Sequence, residues 1–265
     1  MSGHVLITGA SGGVGTALAL EYAAADMVLT LTGRSAERLD DLAWRCRARG
    51  AEVRTHILDI RDADAVRAWV LDVDRALPVD LAFANAGVSS AIQPDGSGEP
   101  FADVERLFRV NTMGSVATVH PLAERMRERG RGQIAIIGSI SGLRGFPDTP
   151  AYSASKAAIR TYGKALRGWL SDSGVRVSVV TMGFVDSPMS ARYVGGKPFR
   201  YSADKAARKI RRGLEHNRGE IVFPRILALG VLGLGLLAEP VADWVLRSFF
   251  KSSVNPDGES PLGRN

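Results

Sequence analysis

Seven short apolar runs recur along this chain, and a segment with helical spacing follows nearly every one. The runs are HVLIT (4–8), MVLTLT (27–32), VRTHILDI (53–60), VDLAFA (79–84), QIAIIGS (133–139), VRVSVVT (175–181) and EIVF (220–223). Helical patterns fill 14–25, 35–49 with Ser35 as its cap, 63–76, 101–129, 151–172 and the basic stretch 202–217. Strands without polar alternation need cover on both faces, and intervening helices supply it, so the pattern predicts a parallel sheet. Right-handed crossovers make that sheet doubly wound. The prediction is one α/β domain of about seven strands flanked by helices, a size that 265 residues suits. In such sheets ligands sit at the C-terminal ends of the strands, so the search for a site starts there.

Bulk properties exclude several alternatives. A chain 45% hydrophobic and 23% charged is globular. The single cysteine, Cys46, rules out an internal disulfide and fits a reducing compartment, so a cytoplasmic location is expected. The first residues, MSGHVLITGA, read as an immediate strand and not as a signal peptide. The net charge of +6 is spread over the chain, apart from the basic run at 205–212. No nucleic-acid signature accompanies it, so an Arg-rich solvated surface is the preferred reading. His4, His56, His120 and His216 have no ligand-like spacing, and no metal is expected.

The first strand runs into Thr8-Gly9-Ala10-Ser11-Gly12-Gly13-Val14-Gly15 and then a helix. Glycines let the backbone turn sharply and approach a pyrophosphate, which the free N–H groups of the helix start then bind. Between the first strand and first helix of an alternating α/β chain, this marks a dinucleotide-binding Rossmann fold. The second strand ends Thr32-Gly33-Arg34-Ser35. A site for NAD(H) usually places an acid there for the ribose 2′-hydroxyl, whereas an arginine offers forked donors to a 2′-phosphate. NADP(H) is therefore expected over NAD(H).

The glycine spacing, taken with motifs at later strand ends, resembles the short-chain dehydrogenase/reductase family over residues 4–224. Asp59-Ile60 looks like the family's adenine-contacting pair, and Ala84-Asn85-Ala86-Gly87 resembles its Asn-Asn-Ala-Gly motif with Ala in the first place. Asn111 matches the helix asparagine of the catalytic tetrad. Ser139 matches the family serine, thirteen residues before Tyr152, and Tyr152 with Lys156 matches the Tyr-x-x-x-Lys pair. Met182-Gly183-Phe184-Val185-Asp186-Ser187 departs from the usual Pro-Gly and Thr, leaving Val185 and Ser187 as the implied nicotinamide-loop contacts.

Reducing a carbonyl by hydride transfer leaves an alkoxide that needs a proton. A free tyrosine, with a pKa of about 10, is a poor acid–base group at neutral pH, and a neighbouring lysine cation lowers it. Four residues of helix put Tyr152 and Lys156 on one face. The resemblance further implies that Lys156 also binds the nicotinamide ribose, that Ser139 holds the substrate oxygen, and that Asn111 supports a relay water. The expected activity interconverts a ketone and a secondary alcohol. The alternative is a catalytically idle NADP(H)-binding regulator or membrane-associated scaffold. A homo-oligomer is expected.

The organisation expected is a nucleotide-binding and catalytic domain over 1–224, an apolar extension over 225–250 and a mobile tail over 251–265. Residues 226–238 carry no charge, yet thirteen are too few for a membrane span and Glu239-Pro240 ends the run. Val241, Trp244, Val245 and Phe249 then form an apolar stripe. The extension is expected to be a lid over the substrate cleft or a subunit contact. The alternative is a peripheral membrane contact helped by Arg225, Arg247 and Lys251. Arg192, Lys197 and Arg200, in the loop 188–201, hint at an anionic substrate, the extension at a lipophilic one.

Overall fold

The computed structural model describes residues 3–249, 253 and 254, except 94, 192 and 195. The first half runs β1 (Gly3–Thr8), α1 (Gly13–Tyr22), β2 (Met27–Gly33), α2 (Ala36–Arg47), β3 (Glu52–Ile57), α3 (Ala63–Ala76) and β4 (Leu81–Ala84). After α4 (Phe101–Leu107) and a π-helical stretch, Phe108–Gly114, come α5 (Ser115–Glu128), β5 (Gly132–Ile137), α6 (Pro150–Trp169) and β6 (Val175–Met182). The chain ends with α7 (Pro188–Ala191), β7 (Tyr193–Val194), α8 (Ala203–Glu215), β8 (Glu220–Phe223), α9 (Arg225–Gly233), α10 (Glu239–Phe249) and β9 (Ser253–Val254).

Seven strands form one sheet in the order β3-β2-β1-β4-β5-β6-β8, every pairing parallel. Successive side chains of a strand point to opposite faces, and here both faces are apolar. Val5, Ile7, Phe83, Ala135 and Ile137 belong to one core with Leu18, Leu39 and Ile210 from the helices. Leu6, Ala82, Ala84, Ile134 and Ile136 belong to the other, with Val66, Val70, Leu122 and Ile159. The order reverses between β1 and β4, where crossovers diverge to opposite faces and open a crevice at the strand ends.

The structure shortens some expected elements. Strand β3 stops at Ile57, so Asp59 and Ile60 sit in the loop beyond it. The helical region 101–129 is not one regular helix. It widens over Phe108–Gly114, where it crowds the loop after β3: a Cβ on Gly114 would lie 2.6 Å from Ile60 Cγ1. Of the expected mobile tail, only Ser253–Val254 falls within the described residues, pairing antiparallel with Tyr193–Val194. The loop 188–201 thus contains a short helix and a strand. Arg192 and Lys251 lie outside the described residues.

Helix α6 is tied to the sheet edge by Glu220 at the start of β8. Its carboxylate accepts from Arg160 Nε at 2.8 Å and Thr181 Oγ1 at 2.6 Å, and pairs with Lys164 Nζ at 2.7 Å. Burial opposes its ionisation, but these donors together hold the carboxyl at about 2. A depressed carboxylate stabilises the fold above its unfolded pKa, and that stability is lost as pH falls towards the folded value. Allowing for solvent screening at this half-open site, Glu220→Gln should cost about 1 kcal/mol at pH 7. The difference from wild type in urea unfolding should narrow steadily below about pH 4.5.

Candidate active site

A cavity of about 540 Å³ occupies the crevice at the C-terminal strand ends. Every catalytic and cofactor-binding residue nominated from the sequence lines it, except Asn111. The glycine loop forms one wall by close approach of backbone. Gly9 has φ +64°, and a Cβ there would meet Ala86 Cα at 2.7 Å. A Cβ on Gly15 would lie 2.3 Å from Gly9 O, so any other residue would break the turn. Asn85 braces this loop, its amide donating to the carbonyls of Thr8 and Gly9, both at 3.0 Å. On the opposite rim, Ser187 packs against Gly13, and its hydroxyl accepts from Ser190 N at 3.1 Å.

The end beyond β2 and β3 is basic. Arg34 lines it together with Arg38 and Arg61. Burial, then the nearby Arg61 and Arg106, hold Arg34 below the ordinary guanidinium value, partly offset by Asp59. Asp59 itself is engaged by Arg61, whose Nε donates to both carboxylate oxygens at 3.0 and 2.8 Å. That hydrogen bonding lowers the Asp59 pKa despite burial.

At the other end stand Ser139, Tyr152 and Lys156. Ser139 follows β5 as the cap of a short turn, Ile140–Gly142, its hydroxyl oxygen accepting from Ser141 N at 3.1 Å. That bond leaves the hydroxyl hydrogen free to donate elsewhere. Tyr152 lies in the first turn of α6 and Lys156 one turn on, with Nζ 5.9 Å from the tyrosine ring centroid. Lys156 is buried and donates to Ile137 O at 3.0 Å. Burial pushes its pKa down to about 8. The remaining lining here is largely apolar and includes Ile140, Phe146, Phe184, Met189 and Leu227.

Asn111 stands behind the wall, fully buried in the π-helical stretch. Its Oδ1 accepts from Val88 N at 2.8 Å, while Nδ2 donates to Val88 O at 2.9 Å and Ser155 Oγ at 3.0 Å. Ser155 in turn donates to Tyr152 O at 2.8 Å. The loop after β4 and the turn carrying Tyr152 are thereby held by one side chain.

A short chain dehydrogenase profile matches residues 3–196. The chain belongs to the short-chain dehydrogenase/reductase family. It is 36% identical over 198 residues to sulfoacetaldehyde reductase 2 of Chromohalobacter salexigens, covering 74% of this chain and 78% of that protein. It is also similar to a solved Sphingobium yanoikuyae short-chain dehydrogenase in complex with NADPH. There the TM-score is 0.76 and the identity 26%, over 89% of this chain and 96% of that one. A Burkholderia phymatum relative in complex with NAD matches at TM-score 0.76 and 25% identity, over 86% and 92% of the two chains. This dehydrogenase/reductase is accordingly an oxidoreductase of alcohol and carbonyl groups with a nicotinamide cofactor, and its glycine cradle fits one.

Several residues around the site carry no clear sequence signal. Arg38 lies in the first turn of α2, and a second arginine so soon after Arg34 could have flagged it. Glu99 could not have been found that way. Its carboxylate accepts from Ala151 N at 2.9 Å, across 52 positions of sequence, and from the Ser90 hydroxyl. It caps α6, whose own N-cap residue Thr149 makes no side-chain cap, and binds the loop 88–100 to the helix bearing Tyr152.

A buried lysine held at about 8 weakens folding, fully so below pH 8 and less as pH rises towards its unfolded value. Lys156→Met should therefore melt a few degrees higher than wild type at pH 7 without cofactor, a gain of about 2 kcal/mol. The gain should shrink at pH 10, and turnover should be abolished.

Proposed function

We propose that the chain is an NADP(H)-dependent oxidoreductase that interconverts a ketone and a secondary alcohol, with Tyr152 as general acid and base. One observation carries the reading: Ser139, Tyr152 and Lys156 line the same cavity as the glycine cradle and Arg34. The cofactor, when bound, supplies or accepts the hydride. Gly9, Ser11, Gly12, Gly13, Val14 and Gly15 receive its pyrophosphate, with Asp59 and Ile60 beside the adenine. Asn85, Ala86 and Gly87, and Val185 and Ser187 across the crevice, flank the rest of it.

In the reductive direction the Ser139 hydroxyl donates to the substrate oxygen and holds it against Tyr152. Tyr152 then delivers its proton to the developing alkoxide. The Lys156 ammonium favours the phenolate that remains and binds the nicotinamide ribose hydroxyls. Asn111 positions these groups. Both N–H donors of its amide are committed, so it has no side-chain donor left for a relay water. A catalytically idle nucleotide-binding regulator would have no use for the three polar groups gathered at one end of the cavity.

NADP(H) is favoured because Arg34, Arg38 and Arg61 gather at one end, while Asp59, the one carboxylate lining it among the described residues, is paired with Arg61. The apolar lining supports a lipophilic carbonyl. Arg200 pairs with Asp186 at 2.9 Å and Lys197 Nζ donates to Ser190 O, so neither supports an anionic substrate. Residues 225–250 act as the lid of the 1–224 domain, with Leu227 in the cavity wall. A cytoplasmic homo-oligomer remains the expected setting, on the cysteine content and the family resemblance.

Tyr152→Phe should lower turnover of a lipophilic ketone by about a thousandfold while NADPH affinity, followed by fluorescence, stays near wild type. Turnover that survives the change removes Tyr152 from the mechanism. Arg34→Ala deletes charge-assisted bonds to a 2′-phosphate and should weaken NADPH binding by about tenfold or more. NADH binding should barely move, and equal losses for the two cofactors would reject the phosphate role.

A further inference from the structure

The C-terminal extension has two apolar faces, and only one is covered. Inward, Ala228 and Val231 of α9 and Leu246 of α10 pack with Ile140 and Phe146 beside the cavity. Outward, Ile226 is 65% exposed, Leu229 68%, Leu236 90% and Trp244 65%, and Leu232 and Val241 are half exposed. Helical spacing explains the division: 226, 229 and 233 lie opposite 228 and 231, and 241 and 244 lie away from 242 and 246. The stripe expected from the sequence at Val241 and Trp244 thus faces away from the core. A single exposed leucine is ordinary, but a run along two successive helices marks a contact surface.

The charges beside this face point to its occupant. Arg225 opens α9, and Arg247 sits in the last turn of α10. Arg144 and Arg247 line a groove of about 450 Å³ between α10 and the loop 142–147. The acids nearby are Glu239, paired with Arg144, and Asp243 in the same groove. Three bases against two acids leave the rim positive, on a chain whose net charge is +6. Among the described residues no helix is long and apolar enough to cross a membrane. A short helix with one apolar face and a basic border lies in the plane of a bilayer, its apolar side among the acyl chains.

We propose that α9 and α10 form a docking surface for an anionic lipid bilayer, with headgroup phosphates at Arg225 and Arg247, the bases at its two ends. Leu227, between the outward Ile226 and the inward Ala228, lines the cavity itself. The docked surface therefore sits beside the catalytic pocket, and a lipophilic carbonyl passes between bilayer and pocket without crossing water. That delivery rests on the proposed reductase reading; the surface does not.

Co-sedimentation of the full chain with vesicles of phosphatidylcholine, with and without phosphatidylglycerol, tests the surface. The protein should pellet with the phosphatidylglycerol vesicles, bind more weakly to phosphatidylcholine alone, and be released by salt. Leu229→Asp with Leu236→Asp should weaken vesicle binding by about tenfold or more, with NADPH binding retained as the check on folding. Leu236→Asp alone, at a nearly fully exposed position, stands in if the double variant misfolds. Arg225→Glu with Arg247→Glu should erase the preference for phosphatidylglycerol. Failure of the wild type to pellet would overturn the proposal, as would pelleting unchanged in the leucine variant. So would a wild-type dimer that the leucine change converts to monomer, because a second copy would then cover the face. Vesicle binding without turnover of any lipophilic ketone would support the surface and reject the reductase reading.

Discussion

Strands β1, β4 and β5 bury both faces, and that constraint arranges everything else. Val5 and Ile7 enter one core while Leu6 enters the other, and the same alternation holds at 81–84 and 134–137. A sheet covered on both sides leaves its strands no face open to a ligand. Ser139, Asn85 and Arg34 all lie just past a strand end, where crossovers diverge and the backbone is open to a ligand. The cavity is thus a consequence of strand order before it is a property of any residue.

Precision within the cavity comes from groups behind its walls. Asn111 joins the loop after β4 to Ser155, Ser155 holds the Tyr152 carbonyl, and Glu99 binds that loop to the start of α6. Asn85 does the same for the glycine loop. These are buried or half-buried hydrogen bonds whose loss leaves an orphaned partner, so they set geometry more firmly than surface pairs do. The widened helix at Phe108–Gly114 belongs to this layer, since it sets Gly114 against Ile60 and carries Asn111 to Val88.

Lys156 shows the cost of the arrangement. Its ammonium is buried against Ile137 O and titrates near 8, a state less favourable to folding than an apolar side chain of equal size. In the proposed mechanism this cost has a use, because an ammonium beside Tyr152 favours its phenolate. At the far side of the pocket, α9 and α10 pack one face beside the cavity and leave the other apolar and exposed.

Much of this was legible along the chain. Apolar runs without polar alternation sufficed for a covered parallel sheet, because burial of both faces is written locally in residue type. The glycine spacing, Arg34 and the Tyr152–Lys156 pair could be placed because each depends on neighbours a few residues away. Contacts between distant segments were not legible. Glu99 on the N–H of Ala151, Asn111 on the backbone of Val88, and the inward or outward choice of Leu227, Leu236 and Trp244 have no local signature. The sequence by itself determined that the C-terminal extension is apolar and helical and that glycines and polar groups gather past the strand ends. Only the tertiary structure decided which apolar face is covered and which groups share a wall, because burial and hydrogen-bond partners are set by elements that meet only after the sheet has assembled.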